Sequence, residues 1–141
     1  FKFTKAILNN QKINVFNHGE MYRDFTYVDD ISEGIFRISK KLPKKNIAFN
    51  TLKPRSDISS APFSIYNIGN NKSVKLNDCI KMLENSLGKK SRRKNLPMQL
   101  GDVYSTKASI KKLYNDTGFM PKTKLEKGIE NFVKWYLEYY Y

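Results

Sequence analysis

Apolar residues recur at two spacings along the chain, and together these spacings predict alternating helices and short strands. Strict alternation predicts a strand at residues 13–16, and a nearly continuous apolar run predicts a buried strand at 63–69. Apolar residues three and four positions apart predict helices, which are placed at residues 3–8, 28–41, 76–87, 106–117 and 125–137. The fold class is therefore α/β or α+β, with too few strands for an independent doubly wound sheet.

Glycine, proline and hydroxyl residues predict where these elements end. Gly88 and Gly118 each follow a helical run, as left-handed C-caps do. Ser105 or Thr106 is the predicted N-cap of the helix that ends at Gly118. Residues 43–62 hold three of the five prolines and predict a long polar loop.

Composition places the chain among globular proteins. Its 141 residues are 40% hydrophobic and 13% aromatic, enough for one domain with a buried core. No apolar run is long enough to span a bilayer and no secretory signal is present, so we expect no membrane association. The single cysteine, Cys79, suits a reducing cytoplasm. It lies at helical spacing among leucines and isoleucine, which predicts a buried hydrophobe rather than a catalytic thiol.

A net charge of +13 raises the question of a nucleic-acid partner. The cations are scattered, and their densest run, residues 89–94, follows the helix that ends at Gly88. We interpret this run as an exposed, solvated loop rather than a track for a phosphate backbone. A basic nucleic-acid-binding module remains the alternative function of another class, and it rests on charge alone.

Catalytic and metal-binding patterns are missing from the sequence. One histidine and one cysteine, far apart, form no metal-ligand cluster, and His18 is expected to be an exposed turn residue. No Ser-His-Asp or Cys-His set can be assembled, and neither glycine-rich phosphate-binding motif occurs. Asp29 and Asp30 diverge on a helix, so we assign them to helix-start electrostatics rather than to paired acid–base chemistry.

Binding chemistry is what the sequence does offer. Arg23 stands among aromatic residues, after the turn at Gly19, where a fixed guanidinium suits an anionic ligand such as a phosphate. An ion pair of Arg23 with Asp24 or Asp30 is an equally good interpretation of the pattern. Asp102 is suited to accept hydrogen bonds from ligand hydroxyls, although an Asx-type turn explains it as well.

Several longer motifs follow one another in order. They are Gly19-x-Met21-x-Arg23-Asp24-Phe25-Thr26-Tyr27-Val28-Asp29-Asp30-Ile31, Ala61-Pro62-Phe63-x-Ile65-Tyr66-Asn67-Ile68-Gly69-Asn70, Leu96-Pro97-Met98-Gln99-x-Gly101-Asp102-Val103, Gly118-Phe119-x-Pro121-x-Thr123 and Phe132-Val133-x-Trp135-Tyr136. Together they resemble the substrate-binding half of extended short-chain dehydrogenase/reductases, in the NAD-dependent epimerase/dehydratase family. The UDP-glucuronate 4-epimerase group is the most similar. The resemblance covers essentially the whole chain.

The resemblance implies a role for each matching residue. Arg23 would hold the UDP diphosphate, and backbone groups of Asn14 and Phe16 would pair with the uracil. Asp102 would lie near the uridine ribose. Gln99 occupies the position at which galactose epimerases have a second phosphate-binding arginine. Thr106 occupies the position at which those enzymes have a larger residue beside the sugar. The predicted substrate-binding residues are therefore Asn14, Phe16, Arg23, Gln99, Asp102 and Thr106.

Parts of the family pattern are missing from this sequence. Family members carry an N-terminal Rossmann domain with a glycine-rich NAD motif and a catalytic Tyr-x-x-x-Lys, and no tyrosine here has lysine four positions on. We therefore expect residues 1–141 to be a truncated C-terminal substrate-binding region, without catalytic residues and inactive alone. Exposed apolar surface is expected on the helix after Asp30 and on the segment 66–69.

The complete enzyme implied by the resemblance would bind NAD and a UDP-sugar, use no metal, and form a homodimer. It would interconvert UDP-glucuronate and UDP-galacturonate by moving a hydride from the sugar to NAD and back to the other face. Other UDP-sugar members of the family, namely a galactose epimerase, a decarboxylase or a dehydratase, remain alternatives.

Overall fold

The computed structural model describes residues 1–141 and contains five α-helices and four short strands. In chain order they are α1 (Lys2–Leu8), β1 (Lys12–Val15), β2 (Tyr22–Arg23), α2 (Val28–Ser39), β3 (Val74–Lys75), α3 (Leu76–Leu87), β4 (Arg92–Asn95), α4 (Lys111–Thr117) and α5 (Leu125–Tyr140). β1 pairs with β4 in parallel, and β2 pairs with β3 in antiparallel fashion. The predicted mixture of helices and strands is confirmed.

The main core lies between β1 and three helices. Ile13 and Val15 alternate with exposed neighbours, so both point to the inner face of the two-stranded sheet. They pack with Ile7 of α1, Ile80 of α3 and Val133 of α5, all of them buried. Because α3 and α5 place apolar residues at helical spacing, each buries one stripe and leaves its opposite face in solvent.

A second, smaller core lies beside α2 and α4. Ile110, Leu113 and Phe119 are buried there, and Tyr66 and Ile68 pack against them. The chain from Gly118 to Thr123 passes along the start of α2, where the Asp30 carboxylate accepts the backbone N–H of Thr123 at 3.0 Å. Asp30 therefore connects two elements, in addition to placing negative charge at the start of a helix.

The predicted helix ends at glycine are confirmed. Gly88 ends α3 with φ 61°, and Gly118 ends α4 with φ 66°. Glycine adopts this left-handed conformation without the steric penalty that a Cβ atom would bring.

The predicted loop at residues 89–94 is wrong for residues 92–94, whereas residues 89–91 lie outside any helix or strand. The structure forms β4 from residue 92 onwards, in register with β1, so that Arg93 lies opposite Ile13 and Lys94 opposite Asn14. All four β4 residues are exposed. The strand shows no apolar alternation because its stability comes from backbone pairing with β1. The pattern of apolar side chains does not reveal such pairing.

The predicted strand at 63–69 is also wrong. This segment runs irregularly apart from one isolated bridge between Ile58 and Ser64, and Phe63 and Ile65 are 46% and 49% exposed. A strand needs a neighbour to accept and donate its backbone hydrogen bonds, and no strand lies beside this segment.

The start of α4 was placed too early. The helix begins at Lys111, and its N-cap position is Ile110 rather than Ser105 or Thr106. Residues 104–106 instead run beside β2, where Ser105 forms a parallel bridge with Tyr22. Hydrogen bonding to β2 holds this segment extended, which is incompatible with a helical turn.

The expected exposed apolar surface is confirmed on α2 but is wrong for the segment 66–69, where Tyr66 and Ile68 pack against the smaller core. Val28, Ile35 and Phe36 are 62%, 56% and 54% exposed, although they lie on the apolar side of the helix. Only Gly34 of this helix is buried, and a Cβ atom there would lie 3.2 Å from Phe119 and 3.3 Å from Ile68.

Candidate functional site

β2 holds Arg23 between two other segments of the chain. Tyr22 pairs with Lys75 of β3 on one side. On the other side its backbone N–H donates to the Tyr104 carbonyl at 2.9 Å, and its carbonyl accepts the N–H of Thr106 at 3.1 Å. The backbone next to Arg23 is thus fixed on both edges, which limits the positions open to its side chain.

The guanidinium of Arg23 donates to three acceptors. Nη1 donates to the carbonyls of Tyr22 at 2.9 Å and Tyr104 at 3.4 Å, and Nη2 donates to Oδ1 of Asp102 at 2.7 Å. A guanidinium has five N–H groups, so two of them remain free of protein partners. The Arg23 side chain is 23% exposed. It is therefore both fixed and accessible, as an anion-binding arginine must be.

Asp102 is the partner of Arg23, in place of the two partners proposed from the sequence. Neither Asp24 nor Asp30 contacts the guanidinium. Asp102 also closes a turn, since its N–H donates to the Gln99 carbonyl at 3.1 Å and its Oδ1 accepts the N–H of Val103 at 2.8 Å. The turn considered for this residue is thus present, and its side chain is 33% exposed.

Asp24 is a structural residue that the sequence analysis missed. Its carboxylate accepts the backbone N–H of Ala108 at 2.9 Å and of Asn71 at 3.1 Å. Gly69 lies so close that a Cβ there would be 2.9 Å from Asp24 Oδ2 and 2.4 Å from Ala108 Cβ. Asp24 therefore joins three segments of the chain directly behind Arg23. Its position next to Arg23 in the motif was the one signal of this role.

One edge of β1 is free at the residues predicted to contact a base. The Val15 carbonyl accepts the N–H of Leu96 at 2.9 Å, on the side of β4. Because the peptide is trans, the N–H of Phe16 points the opposite way, and so does the Asn14 carbonyl. No strand pairs with that edge. These two backbone groups can therefore bind an external donor and acceptor.

Residues 96–106 follow β4 and pass from the end of β1 to Arg23. The Leu96 carbonyl accepts the N–H of His18 at 3.2 Å, directly after β1, and Asp102 contacts Arg23 further along. Gln99 lies in the exposed turn between them, and its side chain makes no hydrogen bond. Thr106 ends the segment, and its hydroxyl accepts the N–H of Asp24 at 3.3 Å. The segment thus carries three of the predicted residues along one side of the protein.

Glu84 fixes β4 to α3 and so supports β1 from the far side. Its carboxylate is 5% exposed and accepts hydrogen bonds from the Ser91 hydroxyl and from Arg93 Nη2 at 2.9 Å. Burial alone would raise the pKa of this carboxyl, but the hydrogen bonds from Ser91 and Arg93 outweigh it and lower the pKa to about 2. Glu84 is therefore ionised at neutral pH despite its burial.

Cys79 and His18 lie where the sequence placed them. Cys79 packs against the main core, and burial raises the pKa of its thiol to about 11, which makes it a poor nucleophile at neutral pH. His18 is exposed in the turn after β1. No group of three or more His, Cys, Asp or Glu side chains is arranged to hold a metal ion. None of the helices combines the length and hydrophobicity needed to cross a membrane.

Curated relatives match the chain over nearly its whole length. It is 49% identical over 140 residues to "Protein CapI" of Staphylococcus aureus, covering 99% of this chain and 42% of the relative. It is 38% identical over 141 residues to "Probable UDP-glucuronate 4-epimerase" of Rhizobium meliloti, covering 99% of this chain and 41% of the relative. The chain therefore spans about two fifths of the length of these relatives. No protein-family model matches it.

Solved structures share the fold. UDP-glucuronic acid 4-epimerase of Bacillus cereus, in a variant bound to UDP-4-deoxy-4-fluoro-glucuronic acid and NAD, matches with a TM-score of 0.76 and 27% identity, over 98% of this chain and 39% of that one. MoeE5 in complex with UDP-glucuronic acid and NAD matches with a TM-score of 0.77 over 98% of this chain and 40% of that one. At 21% identity, the second match shows the fold alone.

Proposed function

The chain is homologous along its length to UDP-glucuronate 4-epimerases and has the fold of the C-terminal part of extended short-chain dehydrogenase/reductases, and we propose that it is the nucleotide-sugar-binding portion of such an enzyme. The complete enzyme would be an NAD-dependent epimerase that interconverts UDP-glucuronate and UDP-galacturonate. The 141 residues supply substrate binding, and the catalytic residues lie outside them.

The observation that carries this proposal is the contact between Arg23 and Asp102. A nucleoside diphosphate presents an anionic diphosphate next to a ribose diol, which donates hydrogen bonds. Arg23 offers a cation with free N–H groups, and Asp102, 2.7 Å away, offers a carboxylate. The free backbone groups of Asn14 and Phe16 would then pair with the uracil, which presents both an N–H and carbonyl oxygens.

The sugar preference rests on Gln99 and Thr106. Both lie on the segment 96–106, which passes Arg23 and continues past Asp24. Gln99 leaves the phosphates with one arginine instead of two, and the small side chain of Thr106 leaves room beside the sugar. The names of several relatives, including "UDP-glucuronate 4-epimerase 4" of Arabidopsis thaliana at 35% identity, agree with a glucuronate substrate.

The residues present do not fit NAD. The two sheets have two strands each, and no glycine-rich strand–turn–helix unit is present to hold a pyrophosphate. We therefore assign NAD, with the catalytic Tyr-x-x-x-Lys, to a separate N-terminal Rossmann domain of the complete enzyme. The exposed apolar side of α2 and the exposed residues Phe63 and Ile65 are suited to pack against that domain. Homodimer formation would belong to it as well.

The proposal is tested by calorimetric titration of UDP into the protein and into Arg23→Gln. The variant is expected to bind UDP about 10- to 100-fold more weakly, because it loses a charge-assisted contact to the diphosphate. Arg37→Gln is the matched control, since Arg37 is also ion-paired but lies on α2 with Glu33 as its partner. The control should bind UDP like the parent protein. Absence of UDP binding, or equal binding by all three proteins, would contradict the proposal.

Nucleic-acid binding has one structural observation in its favour. Lys12 of β1 lies opposite Arg92 of β4, with Lys94 two residues further along the same exposed face. DNA binding by this face would weaken steeply with salt and disappear when residues 89–94 are neutralised, yet survive Arg23→Ala. UDP binding that is lost in Arg23→Ala would exclude this face as the functional site.

A further inference from the structure

The last turns of α5 lie in a group of aromatic residues that the protein core leaves uncovered. The helix buries one side against the main core. Next to that side lie four aromatic residues that are between 47% and 70% exposed, namely Phe1, Trp135, Tyr139 and Tyr140. We term them the α5 aromatic patch. A surface helix needs a single apolar stripe to pack on its own core, so the patch exceeds what the fold itself uses.

The α5 aromatic patch is one continuous surface. The rings of Trp135 and Tyr139 are stacked one helical turn apart, with centroids 5.7 Å apart and planes at 21°. The Tyr140 ring contacts both of them, with centroids at 6.0 and 4.8 Å, and Phe1 meets Tyr140 edge-on at 5.5 Å. Because the rings already hold one another in place, little side-chain entropy is lost when a partner covers them.

The size of the patch fits a protein partner. An aromatic side chain buries roughly 150–250 Å², so four that are about half exposed present on the order of 400 Å² of apolar surface. Exposed patches of this size mark interaction sites on soluble proteins. With a polar rim, such a patch belongs to an interface of roughly 600–800 Å² from each partner, at the lower end of the specific range. Trp and Tyr are also the residues that carry most of the binding energy at interfaces.

The charge of α5 argues against a polyanionic partner. The helix has two lysines and three glutamates, a net charge of −1, in a chain whose net charge is +13. Both lysines are paired within the helix, Lys127 with Glu130 and Lys134 with Glu138. A nucleic acid or an anionic membrane surface is bound by a cluster of free cations, which α5 does not have.

The rim of the patch suits a second copy of the chain. It carries both signs of charge, since Lys2 follows Phe1 in the chain and Glu138 precedes Tyr139. A mixed rim can face its own copy with opposite charges in contact, whereas the strongly basic remainder of the surface would repel that copy.

We propose that the α5 aromatic patch is a self-association surface, through which two copies of the chain form a symmetric dimer. Trp135 and Tyr139 lie at the centre of the contact, and the Arg23 site takes no part in it. In the complete enzyme this would be a second two-fold contact, in addition to the one that the N-terminal domain would supply. Two such contacts on one chain link dimers into larger oligomers.

Sedimentation over a range of protein concentrations tests the proposal. The protein should dimerise with a dissociation constant of about 10–100 µM, because a small apolar interface gives modest affinity. Tyr139→Glu places a charge at the centre of the contact and should weaken dimerisation more than about tenfold. Tyr114→Glu makes the same change at an exposed tyrosine of α4 and should dimerise like the parent protein. Neither substitution should change UDP binding.

Trp135 shows directly whether this face is the one that becomes buried, because it is the only tryptophan of the chain. Its fluorescence should shift to shorter wavelength as the dimer forms, since the indole leaves water. A dimer that forms without this shift would overturn the proposal. So would a dimer that persists in Tyr139→Glu but is lost in Phe36→Glu, which alters the exposed face of α2. If Tyr139→Glu fails to fold, the fluorescence of the unaltered protein decides.

Salt separates a second copy from other partners. Two copies of net charge +13 repel one another, so dimerisation should strengthen when the ionic strength rises from about 0.05 to 0.3 M. Dimerisation that weakens with salt would show that charge pairs hold the copies together, and would overturn the proposal. A protein that stays monomeric throughout would overturn it as well. In that case a shift of Trp135 emission on addition of phosphatidylglycerol vesicles or duplex DNA would assign the patch to an anionic partner instead.

Discussion

Glu84 is the most buried charged side chain of the protein, and it joins α3 to β4 through Arg93 and Ser91. Sequence pattern did not predict this contact. Glu84 follows Leu83 in the helical repeat, but its partners lie on β4 and directly before it, where the pattern predicted a loop. A buried carboxylate becomes informative only once the residues that compensate its charge are known.

The ion pair of Glu84 predicts a specific pH dependence of stability. The pKa of the folded carboxyl is lowered from 4.5 to about 2, so its contribution is present above pH 4.5 and is lost as the pH falls towards 2. Glu84→Gln should lower the free energy of unfolding by roughly 2–4 kcal/mol at pH 7 and flatten its decline between these pH values. Denaturant unfolding at a series of pH values measures both effects.

Glu138→Gln is the control for this measurement, because Glu138 pairs with Lys134 on the exposed side of α5. Glu138→Gln should leave unchanged both the free energy of unfolding at pH 7 and its decline at acidic pH. An unaltered decline in Glu84→Gln would show that other carboxylates cause the acid sensitivity.

The candidate site was also only partly predictable at the residue scale. Arg23 was identified because one arginine lay in an apolar, turn-bounded motif that resembles a known family. Its partner was not identified, since Asp102 lies 79 positions away and the sequence offered two nearer carboxylates. Pairing over such a separation is decided by the fold, which brings the turn at residues 99–102 to the end of β2.

At the scale of elements, prediction succeeded where one helix carries its own signals. α3 has a regular apolar stripe and a terminal glycine, and both are local in sequence. It failed for β4, for the segment 63–69 and for the start of α4. β4 and the segment 104–106 are extended because each pairs with a strand that is distant in sequence. The segment 63–69 is not a strand because it has no such neighbour.

Asp24 offers a test of how β2 is held in place. Its carboxylate accepts the N–H groups of Asn71 and Ala108, so Asp24→Ala would leave two backbone donors without their partner. We expect the free energy of unfolding to fall by about 2–3 kcal/mol, and UDP binding to weaken because Arg23 is the adjacent residue. Thermal unfolding and the UDP titration measure the two effects.

Asp29→Ala serves as the comparison, since Asp29 is exposed at the start of α2 and makes no side-chain hydrogen bond. Asp29→Ala should lower the free energy of unfolding by less than about 1 kcal/mol, because it removes only a favourable interaction with the helix dipole. Equal destabilisation by the two substitutions would mean that Asp24 does not connect the segments as described.

At the scale of the whole molecule, the main core is covered by its helices, whereas the apolar side of α2 is not covered. Ile80 in the main core is fully buried, whereas Ile35 on α2 is 56% exposed. Ile80→Ala should therefore cost about 2–5 kcal/mol of unfolding free energy, and Ile35→Ala less than about 1 kcal/mol. Denaturant unfolding of the two variants measures the difference.

The same pair of variants tests the exposed face of α2 described above. If Ile35→Ala destabilised the protein as much as Ile80→Ala, this face would have to be buried in solution, either within the chain or against a second copy. Sedimentation at several protein concentrations distinguishes these two cases.

The central claim is that a UDP-sugar binds along β1 and the segment 96–106, with its diphosphate on Arg23. Heteronuclear NMR of the 16.5 kDa protein during a UDP titration tests this claim most directly. The account predicts that the largest shift changes fall on the Phe16 amide, the Arg23 Nε–H group and the amides around Asp102. Shift changes confined to the exposed face of β4, or none at saturating UDP, would contradict it.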